Sequence, residues 1–209
     1  MSTQTKQNNL LTPKWKERTY NTHKKHLEQY TGKQFNVAFL GDSMMERWLS
    51  TGNKFWDESF KNYANLGVGG DGVEHLLYRL TENNEFKGIL DVINVDKIVF
   101  MIGTNNLEKK TVNDILEGII SVINIIFKKQ PNCKLIVYGL LDRSDIPKMN
   151  ISELNYKLED YIKKQNNNKL TYRFFGNMVN NDNKFFVDHV HLSQDGYEQW
   201  YNDIKKALE

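Results

Sequence analysis

Asp188 and His191 stand three residues apart in the run Asp188-His189-Val190-His191. In a turn, that spacing can set a carboxylate against imidazole Nδ1, which fixes the tautomer and leaves Nε2 free as a base. A base needs a hydroxyl to deprotonate, and Ser43 in Gly41-Asp42-Ser43 is the candidate. A small residue followed by serine at a strand-to-helix turn exposes the hydroxyl, and the next helix offers free N–H groups to an anion. Taken alone, the stretch reads rather as a helix N-cap, with Ser43 or Asp42 capping MMERWL. Asn105, in Gly103-Thr104-Asn105-Asn106, is a common turn residue that can also project an amide N–H₂ into a site. Together these residues supply a nucleophile, a base, a base-orienter and anion donors, a set that needs no cofactor. His189 and His191, two residues apart, could share a metal, but no further His or Cys cluster completes a site, so no metal is expected.

Residues 65–72 read NLGVGGDG, in which Gly67, Gly69 and Gly72 fit the dinucleotide fingerprint G-x-G-x-x-G. That reading requires an acid about 20 residues on to hold a ribose hydroxyl. Asp91 is near that spacing but falls in EFKGILDVIN, which does not read as a strand end. The fingerprint also follows the second strand-like segment, whereas it normally follows the first.

These groups need a scaffold that gathers them. Short apolar runs at 35–41, 62–67, 97–103, 134–140 and 170–176 alternate with stretches of helical spacing at 73–80, 112–129, 151–165 and 193–208. Continuous apolar strands alternating with helices imply a parallel sheet covered on both faces. The predicted fold is α/β, a three-layer α/β/α sandwich on a five-stranded parallel sheet. Function in such sheets gathers at the carboxyl ends of the strands. Those ends are where Ser43, the glycine loop and Asn105 lie. Residues 1–12 are expected to be disordered and 13–209 to form one domain. A helix over 13–30 would be packed by Trp15 and Tyr20.

The 209 residues carry a formal net charge of +2, too small to imply a polyanionic partner such as nucleic acid. The pairs Lys24-Lys25, Lys109-Lys110, Lys128-Lys129 and Lys163-Lys164 read as solvated helix faces. Cys133 is the only cysteine, which excludes an intrachain disulfide. The N-terminal stretch lacks a signal-length apolar run and no stretch of about 20 apolar residues occurs, so the expectation is a cytoplasmic protein that does not span a membrane.

GDSM at 41–44, the G-x-GGD loop at 67–71, Arg79-Leu80, GTNN at 103–106, GLL-x-R at 139–143 and the final DHVH resemble the blocks of the SGNH (GDSL-type) hydrolase superfamily. Within it they resemble the catalytic subunits of intracellular platelet-activating-factor acetylhydrolase. The resemblance runs from about residue 35 to the end of the chain. It implies a flavodoxin-like fold and serine esterase chemistry. Ser43 would be the nucleophile, His191 the base and Asp188 its orienter. The oxyanion hole would be the backbone N–H of Ser43, that of Gly70 and the Asn105 side chain. Many family members carry Asp where Asn106 stands, a departure that the acetylhydrolase group shares. Gly72 and Val73 occupy positions where small hydroxyl residues are common.

The resemblance implies hydrolysis of short-chain esters, acetyl above all, through an acyl-enzyme and without a cofactor. The alcohol would be a lysophospholipid-like ether lipid, a sugar or a small ester, and the alternative is a carbohydrate acetylesterase. It also implies a homodimer. Met44, Leu141, Asp142 and residues 177–186 are expected near the cleft. A non-catalytic module on the same fold is the remaining alternative, against which the intact Ser43, Asp188 and His191 argue.

Overall fold

The computed structural model describes residues 8–180 and 182–209. Five parallel strands form one sheet in the order β2-β1-β3-β4-β5. They are β1 (Gln34–Gly41), β2 (Ala64–Gly67), β3 (Asn94–Met101), β4 (Lys134–Tyr138) and β5 (Leu170–Arg173). The helices are α1 (Glu17–Tyr30), α2 (Ser43–Glu46), α3 (Asn53–Phe55), α4 (Val73–Leu80), α5 (Ile89–Val92), α6 (Val112–Lys129), α7 (Lys148–Lys164), α8 (Gly176–Val179) and α9 (Gln194–Leu208). The α/β class and the parallel sheet are as the sequence predicts.

Register aligns the ends that matter. Gly41 pairs with Gly67 on one side and with Met101 on the other. The chains leaving β1, β2 and β3 therefore emerge side by side. The strand order reverses between β1 and β3, and a crevice opens outside the carboxyl ends at that point. Residues 43 and 105 follow the two strands that flank it.

Local sequence explains the helices. In α6, Thr111 accepts from the Asp114 N–H at 3.1 Å while Asp114 accepts from the Thr111 N–H, a reciprocal cap. The helix buries Ile115, Ile119, Val122, Ile123 and Ile126 on one stripe and ends on Lys128 and Lys129, which suit its negative pole. In α9, Ser193 caps the Gly196 N–H, and Tyr197, Trp200 and Ile204 turn inward. Tyr197 and Trp200 meet Trp48, which in turn packs on Phe39 and Phe60, an aromatic core in which Trp48 and Tyr197 lie 4.7 Å apart at 71°.

The N-terminal region departs from expectation. Residues 1–7 of the stretch expected to be disordered lie outside the described residues. Asn9–Leu11 form a 3₁₀ turn capped by the Asn8 side chain, and Leu10 is fully buried. A single buried leucine in a polar stretch leaves no periodicity to detect. The helix expected from residue 13 begins at Glu17, and Trp15 is largely exposed rather than packed. Lys109-Lys110 lie in the turn before α6, not on a helix face. α7 begins at Lys148, just after Pro147, three residues earlier than the apolar spacing indicates. Cys133 is buried, which pushes its thiol up to about 11.

Among the described residues no helix is long and apolar enough to cross a membrane. No group of three or more His, Cys, Asp or Glu among them could hold a metal ion.

Candidate active site

Ser43 is the first residue of α2 and is 8% exposed. The preceding Asp42 caps the helix through Oδ1, which accepts the Met44 N–H at 2.9 Å. Asp42 is wholly buried, and that burial pushes its carboxyl up to about 7. The neighbouring Asp71 adds to the rise, while the Met44 N–H and Arg79 oppose it. The Ser43 hydroxyl meets His191 Nε2 at 2.9 Å.

His191 is presented by a tight turn. Val187 N–H donates to His191 C=O at 2.9 Å, and Phe186 and Leu192 form an antiparallel bridge. Asp188 sits inside the turn. Its Oδ1 accepts the backbone N–H groups of Val190 and His191 at 2.8 and 2.7 Å, and its Oδ2 lies 2.8 Å from His191 Nδ1. Partial burial disfavours the charged Asp188. The His191 N–H, the His191 ring and the Val190 N–H outweigh it and hold the carboxyl well below the usual range. The i, i+3 pairing expected from sequence and the serine after β1 are thus brought together, 148 residues apart in the chain.

The other candidates lie in the segments that follow β2 and β3. Gly70 has φ +76°, in the left-handed region that favours glycine. Asn105 is exposed at its surface and donates one amide hydrogen to Asp71 C=O at 2.9 Å. An amide carries two, so the second is free to donate elsewhere. Among the described residues, the backbone N–H groups of Ser43 and Gly70 have no acceptor. The other glycines of the loop serve packing. A Cβ on Gly67 would fall 2.1 Å from the Glu46 backbone nitrogen, so β2 needs glycine there to let α2 approach.

Four polar residues brace this edge, and sequence reasoning assigned them no role. Arg79 is fully buried and donates to Asp71 Oδ2, Leu66 C=O and Gly41 C=O, each at 2.9 Å. One guanidinium thus ties the ends of β1 and β2 to the glycine loop. Thr19 of α1 donates to the other oxygen of Asp71. Asn106 accepts the Val73 N–H at 3.0 Å and donates to Glu74 at 2.9 Å. An aspartate there would set a second carboxylate against Glu74, so asparagine is matched to its neighbour. Arg143, beyond β4, donates to Thr104 C=O at 2.9 Å and pairs with Asp145 at 2.6 Å, steadying the loop that carries Asn105. A signal for Arg79 does exist in the sequence: it interrupts the apolar face formed by Leu76, Leu77 and Leu80.

Two hollows adjoin the edge. One, of about 140 Å³, is bordered by Asp142, Asp182, Asn183, Phe186 and Asp188. Asp142 and part of 177–186 therefore lie where expected, whereas Met44 and Leu141 are buried in the core. The larger, of about 710 Å³, has Gly70 and Asn105 in its wall and the N-terminal segment along its other side.

The model of the GDSL-like Lipase/Acylhydrolase family matches residues 18–204. The platelet-activating factor acetylhydrolase IB subunit alpha2 of Rattus norvegicus is 31% identical over 190 residues, covering 87% of this chain and 79% of its own. A solved Streptococcus pneumonia protein superposes with a TM-score of 0.73 at 18% identity, over 92% of this chain and 94% of that one. The Clostridium thermocellum family 3 carbohydrate esterase does so with 0.62 at 19%, over 84% and 98%. The structural likenesses speak for the fold, while the family match takes in all the edge residues described above. Matched by the family model over residues 18–204 and 31% identical to an acetylhydrolase subunit, the chain belongs to the GDSL-like lipase/acylhydrolase family, hydrolases that act on esters.

Proposed function

We propose that the protein is a serine esterase that hydrolyses short-chain esters, acetyl esters above all, through Ser43, His191 and Asp188. The observation that carries this reading is the continuous relay from Asp188 Oδ2 to His191 Nδ1 and from His191 Nε2 to Ser43 Oγ, at 2.8 and 2.9 Å. His191 takes the Ser43 proton as the hydroxyl attacks the ester carbonyl. Asp188, held ionised, stabilises the imidazolium that forms. The N–H groups of Ser43 and Gly70 and the Asn105 amide receive the tetrahedral oxyanion. The alcohol leaves with the proton from His191, and water activated by the same imidazole releases the acid.

The acyl preference follows the name of the acetylhydrolase relative. A carbohydrate acetylesterase is the second reading, favoured by the polar lining of the larger cleft and by the Clostridium thermocellum neighbour. A cytoplasmic homodimer belongs to the same reading, and sedimentation velocity of the purified chain checks the dimer.

Ser43→Ala tests the assignment. The variant is expected to lose p-nitrophenyl acetate hydrolysis and fluorophosphonate labelling while its melting temperature holds. Full turnover by Ser43→Ala would overturn the reading.

A further inference from the structure

We propose that the start of α1 positions the oxyanion donors: Arg18, Lys16 and Thr19 hold three consecutive residues of the glycine loop, Gly69, Gly70 and Asp71. The role rests on the esterase reading above, in which the Gly70 N–H and the Asn105 amide receive the oxyanion.

The loop has two ways to turn. Residues 68–71 form a turn closed by the Asp71 N–H, which donates to Val68 C=O at 3.1 Å. The φ of +76° at Gly70, its third residue, is that of a type II turn. A type I turn has the same ends and differs by a flip of the central peptide. Here that is the Gly69–Gly70 peptide, the one that carries the Gly70 N–H. With glycine at both central positions, neither form is barred by a side chain. An oxyanion donor contributes most when its direction is fixed before the reaction. Contacts from outside the loop must therefore select the form.

Residues 16–19 supply them. The Lys16 ammonium donates to Gly70 C=O at 2.7 Å and so holds the peptide that follows Gly70. Arg18 meets both carboxylate oxygens of Glu46, at 3.1 and 2.8 Å. That pair lies against Gly69, where a Cβ would fall 2.6 Å from Glu46 Oε2 and 2.7 Å from the Arg18 guanidinium. Glu46 ends α2, the helix that Ser43 begins, so the pair also ties the loop to the nucleophile's helix. Thr19 is fully buried and donates to Asp71 Oδ1. The Asp71 carbonyl in turn accepts the Asn105 amide at 2.9 Å, which carries the hold to the second donor.

These contacts are not needed for stability alone. Arg18 is 58% exposed, and ion pairs open to solvent contribute little to folding. Lys16 bonds a carbonyl that solvent would otherwise satisfy. The family match begins at residue 18, so Lys16 is added to the loop from outside the matched region.

Steady-state kinetics on p-nitrophenyl acetate and the rate of fluorophosphonate labelling of Ser43 test the role. Phosphonylation also develops negative charge on an oxygen, so it draws on the same donors. Lys16→Met is expected to keep the wild-type melting temperature and to lower kcat and the labelling rate about tenfold, with KM changed by less than about twofold. Thr19→Val keeps the shape of the side chain and removes the donor. It is expected to melt earlier and to lose both rates to a similar degree. Thr19→Ser, which keeps the hydroxyl, is expected to restore most of the rate. Lys24→Met, at an exposed position farther along α1, is expected to match the wild type. Wild-type kcat and labelling in Lys16→Met, or a Thr19→Ser protein as slow as Thr19→Val, overturns the positioning role and leaves the esterase reading standing. No turnover and no labelling of Ser43 in the wild type overturns the esterase reading, and the positioning role falls with it.

Discussion

Arg79 donates from Nε to Asp71 Oδ2 at 2.9 Å, and neither side chain reaches solvent. Two charges in the interior are costly unless paired and fully hydrogen-bonded. Here Nη1 and Nη2 of Arg79 each donate to a carbonyl, of Leu66 and Gly41, and the other oxygen of Asp71 accepts from Thr19. Removing one partner strands the other. Arg79→Met is therefore expected to destabilise the protein by about 3–5 kcal/mol. Arg79→Met/Asp71→Asn is expected to recover part of that loss. Urea unfolding midpoints of the three proteins measure both effects.

The Asp188 carboxylate accepts two backbone N–H bonds and the imidazole. Asp188→Asn keeps the size of the side chain but can present an amide N–H₂ to His191 Nδ1. That orientation favours the wrong tautomer. A kcat loss of about 10⁴ is expected with little change in KM. Steady-state kinetics on p-nitrophenyl acetate check it, and an undiminished kcat would remove Asp188 from the relay.

Asn105 and Gly70 differ in what their loss should cost. Asn105 is exposed, so Asn105→Ala should leave stability within about 0.5 kcal/mol while lowering kcat about 10²–10³-fold. Gly70→Ala adds a side chain at φ +76°, a strain of roughly 1–2 kcal/mol. The Lys16 ammonium stands 3.0 Å from where its Cβ would lie. That variant is expected to lose both stability and turnover, with turnover the larger effect. Thermal melts and kinetics on the same preparations separate the two.

Asn106 and Glu74 form a matched pair. Asn106→Asp would place two carboxylates at hydrogen-bond distance, and one of them would have to take up a proton. A destabilisation of about 1–3 kcal/mol at neutral pH is expected, shrinking as the pH falls. Glu74→Gln in the same background should restore most of it. A double-mutant cycle by urea unfolding reads the coupling directly.

Two buried histidines of α1 link stability to pH. Burial, helped by the nearby Arg79 charge, lowers His23 to about 4 and His26 to about 3 from an ordinary 6.5. Because both folded values are depressed, the unfolded chain takes up protons below about pH 6.5 that the folded chain refuses. Stability from these groups is thus lost as the pH falls from 6.5 toward 4. Asp42 acts in the opposite direction across that interval, since its folded value is raised to about 7. The clean measurement is therefore a difference. His26→Leu should gain on the wild type by about 1.4 kcal/mol for each pH unit between 6 and 4. A constant difference across that range would show that His26 is not held neutral.

The layered α/β fold was legible because strands buried on both faces must be continuously apolar, and KIVFMIG and KLIVYGL can be little else. The chemistry-bearing residues were legible for a related reason. Ser43 and Asn105 follow strands directly, and parallel strands bring their ends to one edge. Asp188 and His191 were readable because their contact is local, closed within a single turn.

Contacts between segments distant in sequence leave no such trace. Arg79 marks itself only as a charge in an apolar stripe, and nothing in its own helix says that it reaches Gly41, 38 positions earlier. Leu10 and Lys14 sit in a polar stretch without period, so the docking of this segment against α4 was invisible. Lys109-Lys110 carry the letters of a solvated helix face and lie instead in a turn at a cleft. The sequence by itself determined the alternation of strand and helix, the order of the reactive residues and the Asp188–His191 turn, since each depends on neighbours within a few positions. The tertiary structure decided which buried charges brace the ends of β1 and β2 and how four lysines come to share one cleft. Those outcomes depend on the distance between segments that only the packed sheet brings together.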